Sequence, residues 1–132
     1  MDSASIILFN GQGKILLQLK DSEAPRFANH WAFFGGAIEK GESAIECLKR
    51  EALEELNYKL KGPVLIKQKV TEEDGTKNYY VEEYDGEQKI DLLEGEKMEW
   101  HTIDEAKKLL MIPHNKEELD LIGEKISKIK EI

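Results

Sequence analysis

The sequence predicts an α/β (α+β) fold in which helices flank a mixed sheet. Three observations carry that expectation. Short apolar, β-branched-rich runs recur along the first two thirds of the chain. A long amphipathic helix with clear start and stop signals interrupts them. Two further helical patterns close the chain. At 132 residues the chain suits one domain over 1–132, with no repeat, low-complexity tract or linker to divide it.

Ala4–Phe9 and Lys14–Leu19 are the first two expected strands. Asn10-Gly11-Gln12-Gly13 between them supplies residues that tolerate a tight turn, so they read as a hairpin. Asp21–Asn29, broken by Pro25, reads as a loop, and Trp31–Phe34 as a short aromatic strand ending at Gly35-Gly36. Ser43 followed by Glu46 has the spacing of a capping box, which predicts a helix from there to about Leu56 with Asn57 as its left-handed terminator. Val64–Val70 and Lys77–Tyr84 are expected strands joined through Glu72-Glu73-Asp74-Gly75, and Lys97–Thr102 is another. Asp104–Leu110 reads as a short helix. Lys116–Lys130 reads as a longer one, with Leu119, Ile122, Ile126 and Ile129 on one face.

Composition excludes several function classes. The chain has 27 acidic and 19 basic residues, a formal net charge of -8. That balance disfavours a nucleic-acid polymer or an anionic membrane as partner, because both demand clustered Lys and Arg. The single cysteine, Cys47, permits no intrachain disulfide, and the first residues lack the basic segment of a signal peptide. No apolar run reaches the length of a membrane span. A cytoplasmic location is the expectation. An acidic chain that handles an anionic substrate needs an added source of positive charge, and a bound cation is the first candidate.

The expected first helix shows where such a cation would sit. At 100° per residue, Ile45, Leu48, Ala52 and Leu56 gather on one side, and Glu51, Glu54 and Glu55 on the other. Like charges at i,i+3 and i,i+4 cost helix stability, so three converging carboxylates ask for a reason. Hard divalent cations such as Mg²⁺ and Mn²⁺ take oxygen ligands of this kind, together with water and substrate phosphate. A solvated charged face in a Glu-rich chain would account for the glutamates alone. The wider pattern decides against that: Gly36, Glu42, Arg50, Glu51, Glu54 and Glu55 fit G-x5-E-x7-R-E-x2-E-E, a match with a chance frequency on the order of one in ten thousand. Gly36-x4-Gly41 has the glycine spacing of a P-loop, but Glu42-Ser43 stands where the phosphate-binding lysine belongs, and an acid there repels phosphate unless a metal bridges them.

The stretch from Gly36 to Tyr58 resembles the Nudix box, G-x5-E-x7-R-E-U-x-E-E-x-G-U, where U is bulky and apolar. Ala52 stands at the first U, Asn57 at the last Gly and Tyr58 at the final U. The resemblance implies a Nudix-type α/β/α sandwich and a metal-dependent hydrolase of a nucleoside diphosphate linked to another group. It implies Glu54 and Glu55 as metal ligands, Glu51 as a ligand or as the base that acts on the attacking water, and Arg50 as the residue that orients a glutamate. The carbonyl of Gly35 joins the ligands, and Mg²⁺, or Mn²⁺, is the cofactor. Gly36, Glu42, Phe34 and Asn115 are placed around the substrate, Glu42 as a supporting carboxylate.

Leu93–Trp100, LEGEKMEW, is similar to the E-G-x-x-x-E-W run of MutT-type members, which hydrolyse nucleoside triphosphates. That implies Glu94 as an additional ligand, with Glu96 and Glu99 as its neighbouring alternatives. Pro113-His114-Asn115 stands where MutT-type proteins carry a Pro-x-Asn that reads the purine. Asn115 has the amide to do so, and it equally suits, and by a small margin favours, capping the final helix. Trp31, Phe33, Phe34, Tyr79 and Tyr80 could stack a base, although strand spacing predicts that at least half are core. The expected substrate is a nucleotide, foremost a (d)NTP or oxidised dNTP cleaved to monophosphate and pyrophosphate. The alternatives are another NDP-X such as ADP-ribose or a dinucleoside polyphosphate, or a Nudix-fold domain that binds a nucleotide without cleaving it.

Overall fold

The computed structural model describes residues 1–130; the last two residues of the expected 1–132 domain lie outside it. The elements are β1 (Ser3–Phe9), β2 (Ile15–Leu19), β3 (Trp31–Ala32), β4 (Phe34–Ala37), α1 (Ala44–Leu56), β5 (Val64–Thr71), β6 (Gly75–Glu83), β7 (Lys97–His101), α2 (Ile103–Lys107), α3 (Pro113–Lys116) and α4 (Leu119–Lys130). No described helix is long and apolar enough to cross a membrane.

The sheet is mixed, as expected. Strand β1 runs parallel to β6, from Ser3 opposite Lys77 to Phe9 opposite Glu83. Its other edge pairs antiparallel with β4 over Ser3–Ile6 and meets β2 at Phe9 opposite Ile15. Strand β2 carries β3 and β7, and β5 closes the far edge against β6. Because β1 is buried on both faces, its alternate residues feed two cores. Ile6, Leu8, Leu16, Phe34 and Tyr80 pack under Leu48, Ala52 and Leu56 of α1. Ile7, Phe9, Leu17, Phe33, Tyr79 and Val81 pack under Ala106, Leu119, Ile122 and Ile126 of the C-terminal helices and under Met111, which bridges to Trp31 between them. Truncating one such Leu or Ile to Ala costs about 2–5 kcal/mol.

Local signals fix α1 firmly. Ser43 Oγ accepts from the Glu46 amide at 3.1 Å, and Glu46 Oε1 accepts from the Ser43 amide at 2.9 Å. Asn57 ends the helix at φ 53°. These caps set where the helix begins and ends, and so the angular position of its glutamates over the sheet.

Three expectations are corrected. Trp31–Phe34 is not one strand. Its first half pairs with β2 and its second with β1, and at the break the Phe33 amide donates to Asn115 Oδ1 at 2.9 Å instead of to a strand. The final helix does not begin at Lys116. Pro113 opens the separate turn α3, and α4 begins at Leu119, after a junction where Glu118 is drawn into the interior. The short helix before it starts at Ile103, because Thr102 and Glu105 form a second capping box; the strand expectation had taken in Thr102.

Candidate functional site

The site forms where β4 passes beneath the glutamate-bearing face of α1. Gly35 holds φ +139°, and a Cβ there would lie 2.1 Å from the Ala4 carbonyl oxygen, so only glycine lets the backbone turn inward at this point. At Gly36 a Cβ would lie 2.5 Å from Glu51 Oε1. The two glycines thus let the strand approach the helix closely enough for Glu51 and Glu55 to sit against its backbone. The Gly35 amide donates to Glu55 Oε1 at 3.2 Å, and Gln18 Nε2 reaches Glu55 Oε2 at 3.4 Å and the Phe33 carbonyl at 3.1 Å.

Glu55 is 3% exposed. Burial holds its carboxyl well above the ordinary carboxylate range; the adjacent Glu51 carboxylate raises it further, the Gly35 amide offsets part of this, and Glu94 adds a smaller push upward. A buried acid surrounded by acids is stable as an anion only with a cation beside it.

Arg50 ties the outer carboxylates together. Its Nε and Nη2 donate to the two oxygens of Glu42 at 2.8 and 3.0 Å, and its Nη1 to Glu51 Oε1 at 2.8 Å and Glu54 Oε2 at 3.3 Å. Nη2 also reaches the Ala37 carbonyl at 3.2 Å. Glu42 is braced in turn by the Glu39 amide at 3.0 Å. Hydrogen bonds from Arg50 and from that amide hold the Glu42 carboxyl at about 2, and the same carboxylates raise the Arg50 guanidinium. Both oxygens of Glu42 are spent on this brace, and the Arg50 bond fixes Glu51 through Oε1.

Glu94 lies on an exposed loop beside Leu93, whose amide donates to the Glu55 carbonyl at 2.8 Å. Glu99 turns away: its carboxylate meets His101 at 3.1 Å and Lys97 at 3.6 Å. Asn115 does not cap α4. With Oδ1 on the Phe33 amide, it lines a cleft of about 210 Å³ together with Ser3, Ser5, Gln18, Lys20, Gly35 and Gly36. A wider groove of about 570 Å³ adjoins at Gln18 and Lys20 and runs past Glu94 and Pro25.

Phe34 borders the same cleft as Asn115, but not through an open ring. It is 2% exposed and packs in the core under α1, with no ring face to offer a base. Trp31, Phe33, Tyr79 and Tyr80 are buried as well. Two participants escaped the sequence reading. Gln18 is the polar residue that interrupts the apolar run of β2, which is the signal that could have found it. Lys20 is the one cationic side chain lining either cleft among the described residues.

The donor set suits a hard divalent cation. Among the described residues, however, no three His, Cys, Asp or Glu side chains are already gathered into a finished cage. Glu51 and Glu54 are instead drawn to Arg50, and Glu94 stands out on its loop. The residues that fit are Glu51, Glu54, Glu55 and Glu94 by their carboxylates and Gly35 by its carbonyl.

Comparison with known proteins agrees with the fold. The NUDIX domain family model matches residues 1–122. The MutT protein from Methanosarcina mazei Go1 superposes with a TM-score of 0.78 at 17% identity, covering 96% of this chain and 94% of that one. A C. elegans Ap4A hydrolase in a binary complex gives a TM-score of 0.74 at 16% identity, covering 98% and 99%. The NUDIX domain of Shewanella oneidensis NrtR, complexed with ADP ribose, gives 0.77 at 17% identity, covering 96% and 88%. At these identities the likeness is one of fold.

Proposed function

The chain belongs to the Nudix family and is a pyrophosphohydrolase, and from that premise we propose that it hydrolyses nucleoside triphosphates, (d)NTPs or their oxidised forms, to monophosphate and pyrophosphate with Mg²⁺ as cofactor and Mn²⁺ as its substitute. The observation that carries the proposal is the buried Glu55 carboxylate, set against the Gly35 amide with Glu51 beside it and an open cleft alongside.

In this reading Glu54, Glu55 and Glu94, with the Gly35 carbonyl, hold the cation. When bound, a divalent cation would supply positive charge against the diphosphate and lower the pKa of an attacking water. Arg50 keeps Glu51 in one orientation through Oε1 and so leaves Oε2 to accept the proton released as the water oxygen bonds to phosphorus. The bridging P–O bond breaks, and its electron pair leaves with the departing phosphate group. Lys20, which lines both clefts, would bind a phosphate oxygen through its ammonium. Asn115 keeps Oδ1 on the Phe33 amide and offers its amide N–H to a base edge.

The groove beside Glu94 favours a second reading. Its volume gives room for a bulky group beyond the diphosphate, as in ADP-ribose or a dinucleoside polyphosphate. One panel decides between them: NTPs, oxidised dNTPs, ADP-ribose and dinucleoside polyphosphates assayed with Mg²⁺. Preferred turnover of triphosphates supports the first reading. Turnover confined to sugar-linked or dinucleoside substrates replaces it with the second.

A further inference from the structure

Glu118 is a buried acid outside the glutamate site. It is 1% exposed, and its compensation comes from one place: Oε1 receives Lys67 Nζ at 2.8 Å, while Oε2 has no hydrogen-bond partner. The neighbouring Glu117 meets Lys69, two residues further along the same strand, at 2.9 Å. Two consecutive carboxylates at the α3–α4 junction are therefore gripped by two lysines from one face of β5. The two lysines are similarly half-exposed, and the difference lies in the acids: Glu118 is buried, whereas Glu117 is exposed. A carboxylate that stays in water needs its ion pair little, whereas a buried carboxylate stripped of its cation is strongly destabilising. The grip therefore depends on Lys67.

The register connects this grip to the cleft. Lys67 pairs with Tyr79, Tyr79 with Ser5, and Ser5 with Gly35, one straight row across four strands. Residues directly opposite in a sheet share a face, so the Lys67 side chain stands on the same side as Ser5 of the cleft wall, about 14 Å from Gly35 at three strand spacings. The Tyr79 ring lies edge-on against the Phe33 ring, with centroids 6.2 Å apart. The Glu118 amide donates to the Asn115 carbonyl at 3.1 Å, and the Asn115 side chain in turn holds the Phe33 amide at 2.9 Å, at the point where the β3–β4 segment changes partners.

We propose that the Lys67–Glu118 pair positions Asn115: it pins the α3–α4 junction to the sheet, so that the Asn115 side chain stays on the Phe33 amide and its free N–H faces the cleft. The proposal rests on the reading of Asn115 as a substrate contact for its effect on catalysis, but not for its effect on the Phe33 amide. Lys67 and Glu118 touch neither substrate nor cation and act only through Asn115. Lys67→Met leaves Glu118 buried and unpaired, so the junction relieves the charge by moving outward and Asn115 moves with it. Lys67→Arg keeps the cation. Lys67→Met combined with Glu118→Met removes both partners and with them the reason for the junction to move.

The test pairs hydrogen exchange with kinetics on the full chain. Lys67→Met is expected to speed exchange of the Phe33 amide. It should also raise KM about tenfold, roughly one lost hydrogen bond, for the nucleotide of the panel that is turned over fastest, with kcat within about twofold. Lys67→Arg and the double variant should both recover most of the loss. Unchanged Phe33 exchange in Lys67→Met overturns the proposal, as does a double variant as impaired as the single one. Faster Phe33 exchange with unchanged KM upholds the positioning and overturns the reading of Asn115 as a substrate contact.

Discussion

Gly36→Ala separates catalysis from stability at a single methyl group. The new Cβ would sit 2.5 Å from Glu51 Oε1, and ordinary contact begins near 3.4 Å, so the carboxylate has to withdraw by about 0.9 Å. It cannot withdraw freely, because the same oxygen accepts from Arg50 Nη1 at 2.8 Å. A displacement of about 1 Å in a reacting group costs up to about 10²-fold in rate. Only the end of a flexible side chain has to give, so the fold is left nearly intact. The expected result is kcat/KM lowered about 10- to 100-fold at saturating Mg²⁺, with a melting temperature within a few degrees of wild type. Gly35→Ala should do the reverse. Its Cβ would lie 2.1 Å from a backbone oxygen at φ +139°, so β1 and β4 must part, at about 3 kcal/mol or more. Gly62→Ala, with nothing within 4 Å of the added atom, is the control and should change neither quantity. Wild-type kcat/KM in Gly36→Ala, or a loss of melting temperature equal to that of Gly35→Ala, would refute the close approach on which the site is built.

Other outcomes follow from the same contacts. Arg50→Lys loses the two-pronged grip on Glu42 as well as the bond to Glu51, so kcat should fall about 10- to 100-fold in steady-state assays while the fold persists. Glu55→Gln should abolish the rise in melting temperature on adding Mg²⁺ and cut kcat/KM at least about a hundredfold, without destabilising the protein in EDTA. Asp85 is held well below the ordinary aspartate range, first by the Gln88 side chain and then by the Gln88 and Glu87 amides. A depressed folded pKa gives stability that is present above the unfolded value, about 4, and is lost as pH falls. The gap in urea midpoint between wild type and Asp85→Asn should therefore stay constant from pH 8 to about 5 and narrow steadily below about 4; a gap unchanged at pH 3 would contradict this.

The first helix and its glutamates were legible because their signals are local. The capping box, Asn57 and the 3.6-residue period fix which carboxylates share a face without help from the rest of the chain. What stayed hidden depends on contacts distant in sequence. The division of Trp31–Phe34 into two strands is made by Asn115, 82 positions from its bonding partner Phe33. The direction of the Phe34 ring stayed hidden because pleat direction cannot be read from a four-residue aromatic run, and the structure turns that ring into the core. The acidic stretch Glu82–Glu99 holds eight acids and two bases, and of these Glu94, with Glu96 and Glu99 as alternatives, is the expected additional ligand. The structure spends most of those with a partner elsewhere. Glu82 accepts from the Lys61 and Gly62 amides, Asp85 shapes its own turn, Asp91 meets Asn57, and Glu99 meets His101. Glu94 is the one whose charge reaches Glu55.

The central claim is that the α1 glutamates hold a divalent cation, and Mn²⁺ binding measured by electron paramagnetic resonance on the nucleotide-free protein tests it most directly. Wild type should sequester Mn²⁺, and Glu51→Gln, Glu54→Gln and Glu55→Gln should each weaken that binding at least about tenfold. Glu99→Gln, whose carboxylate faces His101, should bind as wild type does. Equal Mn²⁺ affinity in wild type and all three α1 variants would contradict the account.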